Sequence, residues 1–293
     1  MILKAKEYEN ALALYNDVIE YDGLEYKKLD LEKFSRLFDT LYEYYEQGQF
    51  VGFVSGVKKD NVFYITFVAV NKEYRRKRIA TQLLSFIEQK YPSDKYECSF
   101  FNPANLEWII PGTAGDEHPN APGVDVASGA YIFFKNMGYK DVLAQNTYYK
   151  HITNDKVDMT KLEQNGLKID YLDKDKHTGL DELFVDLGNK LWEEGIKEAT
   201  EPVLVVVDGN KVCGFTGPLK VMDNGRGSFI GIGVHSEYRK YGAGKALFGE
   251  LCSRLAQQGA TYMSLFTGDN NPAGRIYESA GFKIVKVWQV MRK

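Results

Sequence analysis

The residues best suited to chemistry lie in two short stretches of the second half of the chain. Arg239-Lys240-Tyr241-Gly242-Ala243-Gly244 follows the apolar run Phe229 to Val234 and leads into a helical pattern that starts at Ala243. Glycines at 242 and 244 let backbone N–H groups approach a ligand closely. A helix start adds unpaired donors and the positive end of a dipole, and together these suit a pyrophosphate. Arg239 and Lys240 add counter-charge, although an ordinary strand-to-helix turn can carry the same letters. The second stretch, Gly268-Asp269-Asn270-Asn271-Pro272-Ala273, follows Tyr262 to Phe266 and opens a helix that runs into Ile276-Tyr277-Glu278-Ser279-Ala280-Gly281-Phe282. Taken by itself, Tyr277 reads as a helix tyrosine packed on a sheet.

Strands and helices must hold these stretches in place, and the chain repeats one plan. In the first half, Leu31, Phe34, Leu37, Phe38 and Leu41 predict an amphipathic helix over 29–47 with an exit at Gly48. The runs 50–57 and 63–70 read as a hairpin; a charged turn, a helix from Ile79 and a strand over 96–101 follow. In the second half come a helix through Leu183, Leu187 and Leu191, then the strands 203–207 and 212–215 around Asp208-Gly209, a strong hairpin signal. The strand 229–234, a helix from Ala243 and the strand 262–266 complete the same β-β-α-β order. Phe50-Val51-Gly52-Phe53 matches Val212-Cys213-Gly214-Phe215, and Glu73-Tyr74-Arg75 matches Glu237-Tyr238-Arg239. The polar stretch Thr153 to Lys156 sets the expected boundary, giving domains 1–155 and 156–293.

Arg-x-x-Gly-x-Gly after a strand, followed by Asn-x-x-Ala-x-x-Ile-Tyr-Glu-x-x-Gly-Phe, resembles the GNAT superfamily of N-acetyltransferases over residues 166–293. The resemblance implies an α/β fold of two tandem GNAT-like domains, each a mixed central sheet flanked by helices. It implies acetyl-coenzyme A as co-substrate, no metal, and a small primary amine as acceptor. By matching positions, Arg239, Lys240, Tyr241, Gly242, Ala243, Gly244 and Lys245 hold the pyrophosphate. The strand through Ile232 and Val234 pairs with the pantetheine arm, and Asn270 contacts that arm. Tyr277 matches the tyrosine that protonates the departing thiolate, a task that suits a phenol with a pKa near 10. Glu193, Glu194, Glu198 and Glu201 fall on the expected acceptor side, although a solvated charged helix face explains any one of them better.

The first copy departs from the pattern. Arg78 stands where the second copy has Gly242, and Phe134 stands where it has Tyr277. The expectation is a catalytically silent first domain, with Tyr131, one turn earlier, as an alternative acid. An insertion over 102–124 holds four of the eight prolines and offers Trp108, Asp116, Glu117 and His118 to a substrate, unless it is a packing loop. A formal net charge of -3 over 293 residues disfavours a broad nucleic-acid surface and, with it, aminoacyl transfer from charged RNA. Cys98, Cys213 and Cys252 sit in apolar stretches and read as reduced core thiols, and no run reaches the length of a membrane span. A cytoplasmic monomer or homodimer is the expectation. Other readings that fit are a longer acyl donor, a protein N-terminus as acceptor, and a sensor that binds coenzyme A without turnover.

Overall fold

A computed structural model describes residues 1–38 and 40–293. The chain divides into two units: Met1–Thr147 together with Val285–Lys293 form unit 1, and Tyr148–Ile284 form unit 2. This differs from the expected division at 155 in two ways. The tail of the first repeat, from Tyr148, packs with unit 2, and the last strand of the second repeat packs with unit 1.

Unit 1 contains β1 (Ile2–Lys4), α1 (Glu9–Asp22), α2 (Leu31–Leu37), β2 (Thr40–Glu46), β3 (Gln49–Lys59) and β4 (Val62–Val70). These are followed by α3 (Ile79–Lys90), β5 (Lys95–Cys98), the short strands β6 (Trp108–Ile109), β7 (Glu117–His118) and β8 (Val124–Asp125), α4 (Gly129–Asn136) and the start of β9 (Lys140–His151). The helix expected over 29–47 is half strand. Thr-Leu-Tyr-Glu-Tyr-Tyr-Glu is rich in β-forming side chains, and Gln47 and Gly48 both take positive φ, the signature of a tight hairpin turn into β3. Asp39, inside that expected helix, lies outside the described residues. The sheet runs β1-β2-β3-β4-β5-β17, where β17 is Lys283–Arg292 and carries β8 along part of its length. One face packs on α3, with Leu83, Leu84 and Ile87 in its core. The other packs on α1 and α2 through Tyr15, Phe34 and Phe38.

Unit 2 starts within β9 and continues with α5 (Thr160–Glu163), β10 (Leu167–Tyr171), α6 (Leu180–Leu187), α7 (Lys190–Lys197), β11 (Leu204–Asp208) and β12 (Lys211–Gly217). Next come β13 (Lys220–Val221), β14 (Arg226–Ser228), β15 (Gly231–Val234), α8 (Ala243–Gln257), β16 (Tyr262–Gly268) and α9 (Gly274–Ser279). The strand expected over 229–234 starts only at Gly231, and a separate strand, β14, precedes it. β14 pairs in parallel with β16 through Arg226↔Tyr262 and Gly227↔Met263, while β15 pairs with β12 and forms the edge of the sheet β10-β11-β12-β15. A buried core that includes Leu247, Phe248, Leu251 and Tyr277 fills the α8 side. Leu183, Phe184 and Ile196 of α6 and α7 meet Val205 and Phe215 on the other side.

All three cysteines are free and buried. Desolvation pushes the Cys213 and Cys252 thiols up to about 12, as expected of unreactive core groups. No helix among the described residues is long and apolar enough to cross a membrane.

Candidate active site

Past the β14·β16 pair, the chain leaves β16 at Phe229-Ile230 and continues as β15 beside β12, so a gap opens between β15 and β16 on the side away from β12. Two glycines hold β15 in this course. A Cβ built at Gly231 would lie 2.5 Å from the Trp192 ring of α7, and one at Gly233 would lie 2.5 Å from Leu187 of α6. Both helices therefore press directly on the strand backbone, while Ile232 and Val234 face the α8 core. Gly231→Val is expected to cost about 1–3 kcal/mol, because the rigid indole cannot give way. Urea unfolding with an unchanged midpoint would contradict this packing.

At the top of β15, a short 3-10 turn over Ser236–Tyr241 leads to Gly242, which caps α8 with φ +77°. A side chain is strained there. Among the described residues, the amides of Gly242, Ala243 and Gly244 make no backbone hydrogen bond, so three donors stand at the positive end of a helix of four turns. Gly244 is where the parts converge: a Cβ on it would sit 3.0 Å from Ile276 of α9 and 3.8 Å from Val234 of β15.

Arg239 has a narrower part than the sequence implies. Its Nε donates to the Val234 carbonyl at 3.0 Å, and its guanidinium lies 3.8 Å from Asp186, so it ties the turn to the strand end. Asp186 also accepts from the Ser236 amide and hydroxyl at 2.8 and 2.7 Å, and these bonds hold its carboxyl below the usual range. This α6 anchor was not read from the sequence, because nothing local pairs residues 50 positions apart. Lys240 lies over the Tyr241 ring at 5.0 Å, and Lys245 is exposed in the first turn of α8.

Tyr277 lies on α9 with 6% of its surface exposed. Its ring packs against Phe248 of α8 at 4.9 Å and Tyr148 of β9 at 5.4 Å. Burial, with a smaller effect of Tyr148, pushes its hydroxyl up to about 12. Asn271 caps the turn before α9 by accepting from the Ala273 amide at 3.0 Å, which leaves Asn270 exposed between β16 and α9. Tyr148, placed by the sequence reading in the first domain, is thus a wall of the second domain's site.

The four acceptor-side expectations fare differently. Glu193 pairs with Lys197 at 2.7 Å, a solvated i,i+4 contact, and Glu194 is exposed. Trp108 is fully buried in unit 1, with its Nε1 donating to the Asn120 carbonyl at 2.9 Å and its ring 5.2 Å from Trp288; His118, 2% exposed, lies against it. Trp108 and His118 are core groups of an insertion packed onto β17, not lid residues turned to a ligand.

Unit 1 repeats the turn with different residues. Arg75 Nε donates to the Val70 carbonyl at 3.2 Å and its guanidinium pairs with Asp22 at 2.7 Å, as Arg239 does with Val234 and Asp186. Arg78 caps α3 at φ +61°, keeping the conformation of Gly242 with a side chain in place. Phe134, at the position of Tyr277, has the same 6% exposure.

The family model described as "Acetyltransferase (GNAT) family" matches residues 8–107 and 168–282, more than half of the chain. A sequence comparison with curated proteins finds no match. Among solved structures, the chain is similar to the glucosamine N-acetyltransferase region of a fungal multi-domain GH3 beta-N-acetylglucosaminidase, with a TM-score of 0.68 at 15% identity. All of this chain is covered there, but only 38% of the fungal one. An N-acetyltransferase from Sphaerobacter thermophilus gives a TM-score of 0.62 at 12% identity, covering 100% of this chain and 95% of that one. A tandem GNAT protein from the clavulanic acid biosynthesis pathway gives 0.57 at 13%, covering 100% and 98%. These likenesses show a shared fold. With the family pattern matched twice along a doubled α/β scaffold, the chain belongs to the acetyltransferase (GNAT) family.

Proposed function

We propose that unit 2 transfers an acetyl group from acetyl-coenzyme A to a primary amine by direct attack, with Tyr277 as general acid. The observation that carries this reading is the convergence of the end of β15, through Val234, and the start of α9, through Ile276, on Gly244, whose amide is one of three open donors beside the β15–β16 gap; Tyr277 follows Ile276 on the same helix. The donor fits the residues present: three amides at a helix start for a pyrophosphate, Lys240 and Lys245 for its charge, and a strand edge with Asn270 beside it for an extended arm. The thioester supplies an activated acyl group. The free amine attacks the carbonyl, strand amides of β15 face the charge that develops on its oxygen, the nitrogen gives up one proton to water, and the C–S bond breaks with a proton donated towards sulfur.

The magnitudes limit what Tyr277 does. A thiol ordinarily has a pKa near 8.5, so a phenol at about 12 surrenders its proton to a thiolate only uphill. Its main contribution is then a hydrogen bond to sulfur as charge grows there, with the proton following. We assign no transfer to unit 1. Phe134 has no proton to donate, and Tyr131 donates its hydroxyl to Asp141 at 2.9 Å on the surface.

Calorimetric titration of acetyl-coenzyme A into the intact chain tests the assignment. One equivalent is expected to bind, and Gly242→Arg is expected to weaken it at least about tenfold. The new side chain would leave the backbone beside Lys161, 3.3 Å from the Cβ position, and crowd the turn. Two equivalents, or binding untouched by the change, would sink it.

A further inference from the structure

Arg226, at the foot of the gap, is a buried cation that forms no ion pair among the described residues. It is 9% exposed, and its guanidinium makes two long hydrogen bonds to neutral oxygens: the Ser264 carbonyl at 3.3 Å and the Ser228 hydroxyl at 3.4 Å. No carboxylate pairs with it among the described residues, and burial pulls its pKa below the ordinary value. A guanidinium nonetheless stays charged in a protein, and a buried charge without a counter-charge is costly.

Its position gives this cost a use. A Cβ at Gly227 would meet Leu255 at 3.1 Å, so Gly227 faces α8, and Arg226 and Ser228 face the opposite way. Ile230 lies on that same opposite face, 48% exposed, within 2.8 Å of the Cβ position of Gly195 on α7. Arg226, Ser228 and Ile230 therefore share one side of the chain, and Ile230 stands where β15 parts from β16. With the guanidinium at the Ser228 hydroxyl, two residues from Ile230, roughly 7 Å separates it from that point at strand spacing.

We propose that Arg226 is a specificity residue that receives a carboxylate on the acceptor, so that the preferred acceptors are amines carrying a carboxylate several bonds from the nucleophilic nitrogen. The fork of the guanidinium matches the two oxygens of a carboxylate, and the Ser228 hydroxyl lies beside it. This inference rests on the acetyl-transfer reading of the same unit.

The test titrates the full chain, loaded with coenzyme A, with matched probes that differ only by the carboxylate: β-alanine against ethylamine, γ-aminobutyrate against propylamine, and lysine against cadaverine. At least one acid is expected to bind about tenfold to a hundredfold more tightly than its amine. Arg226→Met should bring that ratio near unity without lowering Tm, since it removes an uncompensated charge, and Arg226→Lys should restore part of the preference. Equal binding within every pair, no binding of any probe, or a preference that survives in Arg226→Met would overturn the proposal. A merely structural arginine would instead lower Tm when replaced and leave the ratio alone. Failure of coenzyme A itself to bind would count against the acetyl-transfer reading, and the same titrations on the unloaded chain would still decide the role of Arg226.

Discussion

Tyr277→Phe is expected to lower kcat about a hundredfold while leaving KM for acetyl-coenzyme A nearly unchanged. General acids contribute roughly 10²–10⁴-fold, and the low end applies because a hydroxyl at about 12 acts mainly as a hydrogen-bond donor to sulfur. The fold should tolerate the change. Phe134 occupies the matching place in unit 1 with equal burial, and the ring contacts to Phe248 and Tyr148 need no oxygen. The pH dependence gives a second reading. Because burial raises the pKa of Tyr277, its proton is held across the range where an ordinary tyrosine would begin to lose it, and only near pH 12 does the acid form disappear. A fall in kcat centred near 10 that vanished in Tyr277→Phe would contradict the burial argument. Full activity in the variant would remove the acid from the mechanism.

The second large effect belongs to Trp288 on β17. It is 1% exposed, with its ring 5.2 Å from Trp108 and 6.1 Å from Tyr26, and Lys286 beside it pairs with Glu25 and Asp125 at 2.6 and 2.7 Å. Trp288→Ala should cost about 3–5 kcal/mol, the range for emptying a tryptophan-sized site. The loss should fall on unit 1, as faster hydrogen exchange at the amides of β4 and β5. Trp288→Phe should cost much less, because the indole N–H has no partner among the described residues. Unchanged protection in β4 and β5 after Trp288→Ala would show that β17 is not a structural member of that sheet.

How much of this was legible in the sequence depended on the range of the interaction. The Gly242 turn, α8 and the helix bearing Tyr277 declare themselves through glycine placement, helical spacing and a strand just before, all local signals. Residues 40–46 were misread because Leu31 to Leu41 fits a helical period, whereas the Gln47-Gly48 hairpin depends on a backbone conformation that glutamine rarely announces. Trp108 and His118 looked available because a proline-rich loop suggests a surface. Their burial depends on a strand more than 150 residues further along the chain. Arg226 does not stand out in the sequence for another reason: an arginine becomes notable only when the structure shows it buried and without an ion pair among the described residues.

The membership of β17 also bears on how the protein is made. Unit 2 is one continuous segment, Tyr148–Ile284, and can close as soon as it leaves the ribosome, whereas the sheet of unit 1 lacks its β17 strand until residue 292 has been synthesised. Domains usually mature in the order of translation. Here the first unit to begin is the last to finish, and through the synthesis of more than 130 intervening residues the edge of β5 waits for its partner. A break in the polypeptide at 155 would make that wait permanent, so the two repeats that look separable in the sequence form a single unit of biosynthesis.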